Sequence, residues 1–255
     1  MTTTRRLIVL LTGALVLLTS ACTGGSSASP DSSKTGLDTP GTGLSRVILV
    51  GDSVARGQSL PLAAAFGVSK VEFHSMASDG GGTVIGPVSK ELWKTLPDRI
   101  STARPSTVVY QITTYDWGSE AEQKAAYERL LSTVTGVGAK LVIVTMPPIK
   151  PDDFYRPHMK DLNRAAQVAR QVAEASDGHA VVLDATTVWG STYQRVKDGK
   201  PDRSSDGIHT CPQGAARFTN WFMDEMHRLY PTYTPPAAKD WANTGWSADK
   251  AFIGC

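Results

Sequence analysis

The sequence predicts an α/β protein in which a parallel sheet of about five strands is doubly wound between two layers of helices. Three observations predict it. Short apolar runs rich in β-branched residues recur along the chain, as at 47–50, 107–112, 140–145 and 180–184. Stretches with helical spacing separate them, as at 119–134 and 159–175. The Gly, Ser, Asp and His residues that break these patterns fall where strands end, the edge at which open α/β sheets hold their ligands.

The elements follow in order. Residues 47–50, Val-Ile-Leu-Val, read as a buried first strand. Gly51-Asp52-Ser53 interrupts the run, and the apolar spacing over 60–66 suits a helix. Residues 70–74 alternate enough for a second strand and lead into a glycine-rich loop, 75–83. No element is assigned from there to 105. A third strand covers 105–112 and ends in Thr113-Thr114-Tyr115-Asp116-Trp117. The next helix spans 119–134, with Ser119 as cap and Glu122 three residues on, the pairing of a capping box. A fourth strand at 140–145 stops at Met146-Pro147-Pro148, an amphipathic helix covers 159–175, and a fifth strand covers 180–184. A polar loop through 204–212 precedes a last helix at 214–230. Alternating strands and helices make residues 45–230 one flavodoxin-like, three-layer sandwich. Residues 231–255 carry Pro, Trp and Tyr with little periodicity and are expected to wrap its surface.

Of the 255 residues, 41% are hydrophobic and 20% charged, enough for a sizeable core. A net charge of +2 without a Lys/Arg cluster argues against nucleic acid as a partner, and a monomer is expected. The amino terminus is more informative. Arg5-Arg6, an apolar run over 7–18 and the small residues Thr19-Ser20-Ala21 before Cys22 make residues 1–22 an export signal. The run is too short to span a bilayer, which needs roughly 20 residues. Residues 23–44, rich in Ser, Gly, Thr and Pro, read as a flexible tether.

Doubly wound topology brings the loops after all strands to one edge. Ser53, the glycine loop, residues 113–117, residues 146–149 and the Asp206–His209 loop therefore converge despite their separation in sequence. Serine needs a base to become a nucleophile, and histidine serves near neutrality. His209 has Asp206 three residues before it, close enough to orient the ring. His74 ends a strand but lacks a carboxylate on a fitting loop, and His158, His179 and His227 read as helix-start, loop and helix-surface residues. A plain Gly-Asp-Ser turn capping a helix is the alternative for the first block.

Gly51-Asp52-Ser53 and Asp206-Gly207-Ile208-His209 resemble the first and last sequence blocks of the SGNH/GDSL hydrolases. The resemblance implies the SGNH hydrolase fold, a nucleophile at Ser53, a base at His209 and an orienting Asp206. It also implies oxyanion donors at the amides of Ser53 and Gly80, with Gly81 and Gly82 as alternatives in the same run. The third block departs: the family has Gly-x-Asn-Asp, and this chain has Thr113-Thr114-Tyr115-Asp116, so Tyr115 falls where a donor asparagine belongs. That arrangement is similar to the SGNH domains associated with actinobacterial membrane acyltransferases. Gly81, Tyr115 and Asp116 are taken as possible site-lining residues, Asp116 with a helix cap as its favoured role. Cys22 resembles the lipidated cysteine of bacterial lipoproteins, although Thr19 stands where Leu is usual. With Cys22 acylated, Cys211 and Cys255 remain to pair, closing a loop worth at most about 4 kcal/mol.

The expected protein is exported, lipid-anchored to a membrane through Cys22 or secreted. It is expected to be a serine esterase that cleaves O-acyl esters of a cell-envelope glycan or lipid. Acyl transfer by the same triad is one alternative, and a non-catalytic glycan-binding module on a decayed hydrolase fold is the other. No cofactor and no metal are expected. The sequence holds no G-x-S-x-G, H-E-x-x-H or P-loop motif.

Overall fold

The computed structural model describes residues 43–255. The export signal, Cys22 and the tether up to residue 42 lie outside the described residues. Five parallel strands form the main sheet: β1 (Arg46–Val50), β2 (Glu72–Ser75), β3 (Thr107–Gln111), β4 (Lys140–Val144) and β5 (Ala180–Leu183). Their order is β2-β1-β3-β4-β5, the doubly wound arrangement the alternation predicts. The helices are α1 (Ser53–Val68), α2 (Ser89–Ala103), α3 (Glu120–Thr135), α4 (Met159–Glu174), a single turn α5 (Thr186–Trp189) and α6 (Pro212–Leu229).

The two faces of each strand feed two separate cores. Val47, Leu49, Val109, Val142 and Val144 pack with α1 and α6. Ile48, Val50, Val108, Tyr110, Leu141 and Ile143 pack with α2, α3 and α4. Because β1, β3 and β4 are covered on both sides, they read as continuous apolar runs rather than as alternation.

Two helices differ from the sequence expectation. α1 begins at Ser53, well before residue 60, because the Asp52 side chain accepts the Val54 amide at 3.0 Å and caps it. Gly57, Ser59 and Pro61 inside the helix blur its pattern. α2 falls where no element is assigned. Its buried residues Leu92, Leu96 and Ile100 recur every fourth position, and Pro97 in its middle disguises it. The capping box of α3 forms as expected, with Glu122 and Ser119 bonded to each other's amides. A two-stranded ribbon, β6 (Val196–Lys197) with β7 (Lys200–Pro201), is also new.

Residues 231–255 contribute to the core: Tyr233 and Trp241 are buried with α1 and α6. A disulfide joins Cys211, at the start of α6, to Cys255, with 5.6 Å between their Cα atoms. Among the described residues, no helix is long and apolar enough to cross a membrane.

Candidate active site

Ser53 is the first residue of α1, directly beyond β1. Its position is set by Asp52, which is fully buried. One carboxylate oxygen of Asp52 caps α1; the other accepts the amide and hydroxyl of Thr114, at 2.8 and 2.9 Å. A residue with no role in the sequence reading thus ties the turn after β1 to the loop after β3. Burial pushes the Asp52 carboxyl up, and the Thr114 and Val54 bonds oppose it.

His209 and Asp206 arrive from the loop before α6. His209 Nε2 lies 2.8 Å from Ser53 Oγ, across 156 residues of sequence. Its Nδ1 lies 2.7 Å from Asp206 Oδ2, and Asp206 Oδ1 accepts the amides of Ile208 and His209 at 2.8 and 3.0 Å. Burial alone raises the Asp206 carboxyl, but the bonds from the His209 ring and these amides outweigh it and hold it below its ordinary value. A carboxylate at Nδ1 puts the proton there, leaving Nε2 to accept from the Ser53 hydroxyl. The His209 and Asp206 side chains remain 27% and 34% exposed, so the site is open to water.

Arg203 holds this loop from beneath, and nothing in the sequence marks it. It is 1% exposed and donates to the carbonyls of Pro148, Ile208 and His209 at 2.8, 2.5 and 3.2 Å. Burial pulls its pKa down to about 10, so it stays cationic at neutral pH. Gly207 adds a close approach: at φ +85°, a Cβ there would lie 2.9 Å from the Lys150 backbone.

The glycine loop folds over the start of α1. Arg56, one turn after Ser53, pairs with Asp79 at 2.9 Å. Gly80 is exposed at the rim, the Gly81 amide donates to the Ser78 carbonyl at 3.3 Å, and Gly82 packs directly on Gly51. A Cβ on Gly82 would fall 1.8 Å from the Gly51 oxygen. Of the three, Gly82 touches the turn that carries Ser53.

At the third block Tyr115 is half-buried, its ring 5.5 Å from Trp117 and 6.3 Å from Tyr155. Asp116 neither lines the site nor caps a helix. It is fully buried, and its carboxylate accepts the hydroxyls of Thr83, Tyr110, Thr113 and Tyr127 at 2.6–2.9 Å, while Ser119 caps α3. Both threonine hydroxyls of the block are therefore committed, Thr113 to Asp116 and Thr114 to Asp52.

Burial raises the Asp116 pKa from 3.8 to about 6 against those four hydroxyls. The folded state thus binds this proton more tightly than the unfolded chain. Its stabilising effect is complete below the ordinary carboxylate value and is lost as pH rises through about 6. The shift amounts to about 3 kcal/mol. Asp116→Asn is therefore expected to gain stability relative to wild type between pH 4 and pH 7.5. Melting curves at both pH values check it, and a constant difference contradicts it.

The other histidines stand elsewhere. His74 pairs with Glu72 at 2.7 Å, His227 bonds the Tyr233 carbonyl, and His179 is exposed. His158 stacks on Trp117 with ring centroids 3.9 Å apart. Together with Tyr115, Phe154 and Tyr155 these rings form an aromatic patch that the sequence reading missed, because its members come from two distant loops.

No family model and no curated protein matches the sequence. Solved structures do match. LAE5, an alpha/beta hydrolase enzyme from the metagenome of Lake Arreo, Spain, superposes with a TM-score of 0.55 at 15% identity, covering 72% of this chain and 96% of that one. A candidate SGNH hydrolase from Slackia heliotrinireducens gives 0.55 at 16%, covering 71% and 98%. Axe2, an acetylxylan esterase from Geobacillus stearothermophilus, gives 0.53 at 14%, covering 71% and 94%. At such identities the likeness establishes the fold, which is that of the SGNH hydrolases.

Proposed function

We propose that the chain is a serine esterase that removes O-acyl groups from a glycan or lipid of the cell envelope. The observation that carries this is the relay from Asp206 through His209 to Ser53, with bonds of 2.7 and 2.8 Å. Ser53 Oγ attacks the acyl carbonyl while its proton passes to His209 Nε2. The tetrahedral oxyanion is held by the Ser53 amide and one from the glycine loop, either Gly80 at the rim or Gly82 against the turn. The ester C–O bond then breaks, and the leaving alkoxide takes the proton from Nε2. Water, deprotonated by His209, releases the carboxylate and restores Ser53.

Several features support this reading and set its limits. The exposed triad admits water to the acyl-enzyme, which favours hydrolysis over acyl transfer. With Tyr115 in place of an asparagine and both threonine hydroxyls occupied, the oxyanion rests on backbone amides. The loss of one such donor costs about 10²–10³ in rate, so turnover is slow. The fold's likeness to acetylxylan esterases supports an acetyl ester of a sugar as the first substrate to try. The Cys211–Cys255 disulfide suits the oxidising compartment that an export signal leads to, and the reading includes a lipid anchor on Cys22.

The test is hydrolysis of 4-nitrophenyl acetate and release of acetate from acetylated xylooligosaccharides by the wild-type chain and by His209→Ala. The variant is expected to lose on the order of 10⁴-fold in rate. A His209→Ala rate close to that of the wild type contradicts His209 as the base.

A further inference from the structure

A groove of about 820 Å³ opens where α2 and α3 begin, along the same sheet edge as Ser53. Trp93 and Trp117 line it together with Lys90, Lys94, Glu122 and Arg129. It begins close to the triad. Its wall at Val84 is two residues from Gly82, at most about 7 Å of extended chain, and Gly82 lies on the turn that carries Ser53. Gly86, also in the wall, abuts the Tyr115 carbonyl, where a Cβ would approach within 2.1 Å. One end of the groove is therefore built from the same two loops that frame the triad.

The aromatic rings are held in place. The Trp93 indole N–H donates to the Val84 carbonyl at 2.8 Å, and the Arg129 guanidinium lies 3.9 Å above its ring. Trp117 is braced by His158 behind it. The charges are unequally committed. Glu122 is used by the amide and hydroxyl of Ser119 at 2.7 and 2.6 Å, and Lys94 is paired with Glu91 at 2.7 Å. Among the described residues, neither Lys90 nor Arg129 pairs with a carboxylate. An Arg129–Trp93 contact within the scaffold accounts for one of these features. It does not account for Lys90 and Trp117 facing the same groove.

We propose that this groove binds the chain that carries the ester, and that the chain is a negatively charged glycan. Its role rests on the esterase reading of Ser53. Apolar faces of the sugar rings lie against the two indoles, and acidic groups along the chain meet Lys90 and Arg129. A neutral glycan uses the rings and leaves both cations without a purpose.

The test uses the full chain with Ser53→Ala, so that binding is measured without turnover. Calorimetric titrations compare hexagalacturonate, which is acidic and carries no ester, with neutral xylohexaose. Hexagalacturonate is expected to bind at least ten-fold more tightly. Adding Lys90→Glu or Arg129→Gln is expected to weaken it ten-fold or more, with little change for xylohexaose. Lys90 is exposed, so its variant is the one expected to keep the wild-type melting curve. Equal affinity for the two sugars, no binding of either, or acidic binding indifferent to both substitutions overturns the proposal. Hydrolysis of 4-nitrophenyl acetate by the wild-type chain reports on the esterase reading separately, so the two fail independently.

Discussion

Ser53→Ala is expected to lower ester hydrolysis by on the order of 10⁴-fold or more, with the melting temperature almost unchanged. The side chain is partly exposed and its hydroxyl bonds His209 Nε2, so its removal leaves no buried donor unsatisfied. The α1 cap is unaffected, because it comes from the buried Asp52 carboxylate. Activity and stability therefore separate in this variant. Steady-state rates with 4-nitrophenyl acetate and a thermal melt are sufficient to see it. Retention of more than a tenth of the wild-type rate contradicts a serine nucleophile at this position.

The second large effect is expected at Arg203. Its guanidinium reaches three carbonyls of the loops that carry His209 and Pro148, and it lies 5.4 and 5.3 Å from the rings of Trp189 and Tyr193. Arg203→Met leaves the Pro148 and Ile208 carbonyls without their donor, while the His209 carbonyl keeps the Ser204 amide at 2.9 Å. At about 1–3 kcal/mol for each buried acceptor, the loop that aims His209 loosens or unfolds locally. Arg203→Lys is the more telling variant, because it keeps the charge but one ammonium cannot span the same fork of acceptors. It is expected to lower kcat about 10²-fold with KM little changed, since an ångström of misplacement of the base costs that much. A Lys variant with wild-type kcat shows that the buried cation, and not its fork, is what the loop requires.

Much of the fold was legible because strands covered on both faces must be apolar along their whole length, as residues 47–50 and 141–144 are. The Ser119–Glu122 box was legible because its partners are three residues apart. The meeting of Ser53 and His209 was legible only through the two blocks that carry them, since the contact spans 156 residues. What escaped has a common physical origin. The Asp52–Thr114 and Asp116–Thr83 bonds join positions 62 and 33 residues apart, and no local pattern distinguishes a buried carboxylate from a turn residue. Asp116 was expected to line the site or cap a helix for that reason. Arg203 was overlooked because arginine is so rarely buried. α2 was hidden by the half-buried Pro97 inside it, although the Leu92, Leu96 and Ile100 spacing was there to be read.

The relay itself is tested most directly by a fluorophosphonate, which reacts only with an activated serine. Peptide mapping of the labelled chain at neutral pH is expected to place the adduct on Ser53, and labelling is expected to fall sharply in His209→Ala. An unlabelled chain, or an adduct on a different serine, contradicts the account.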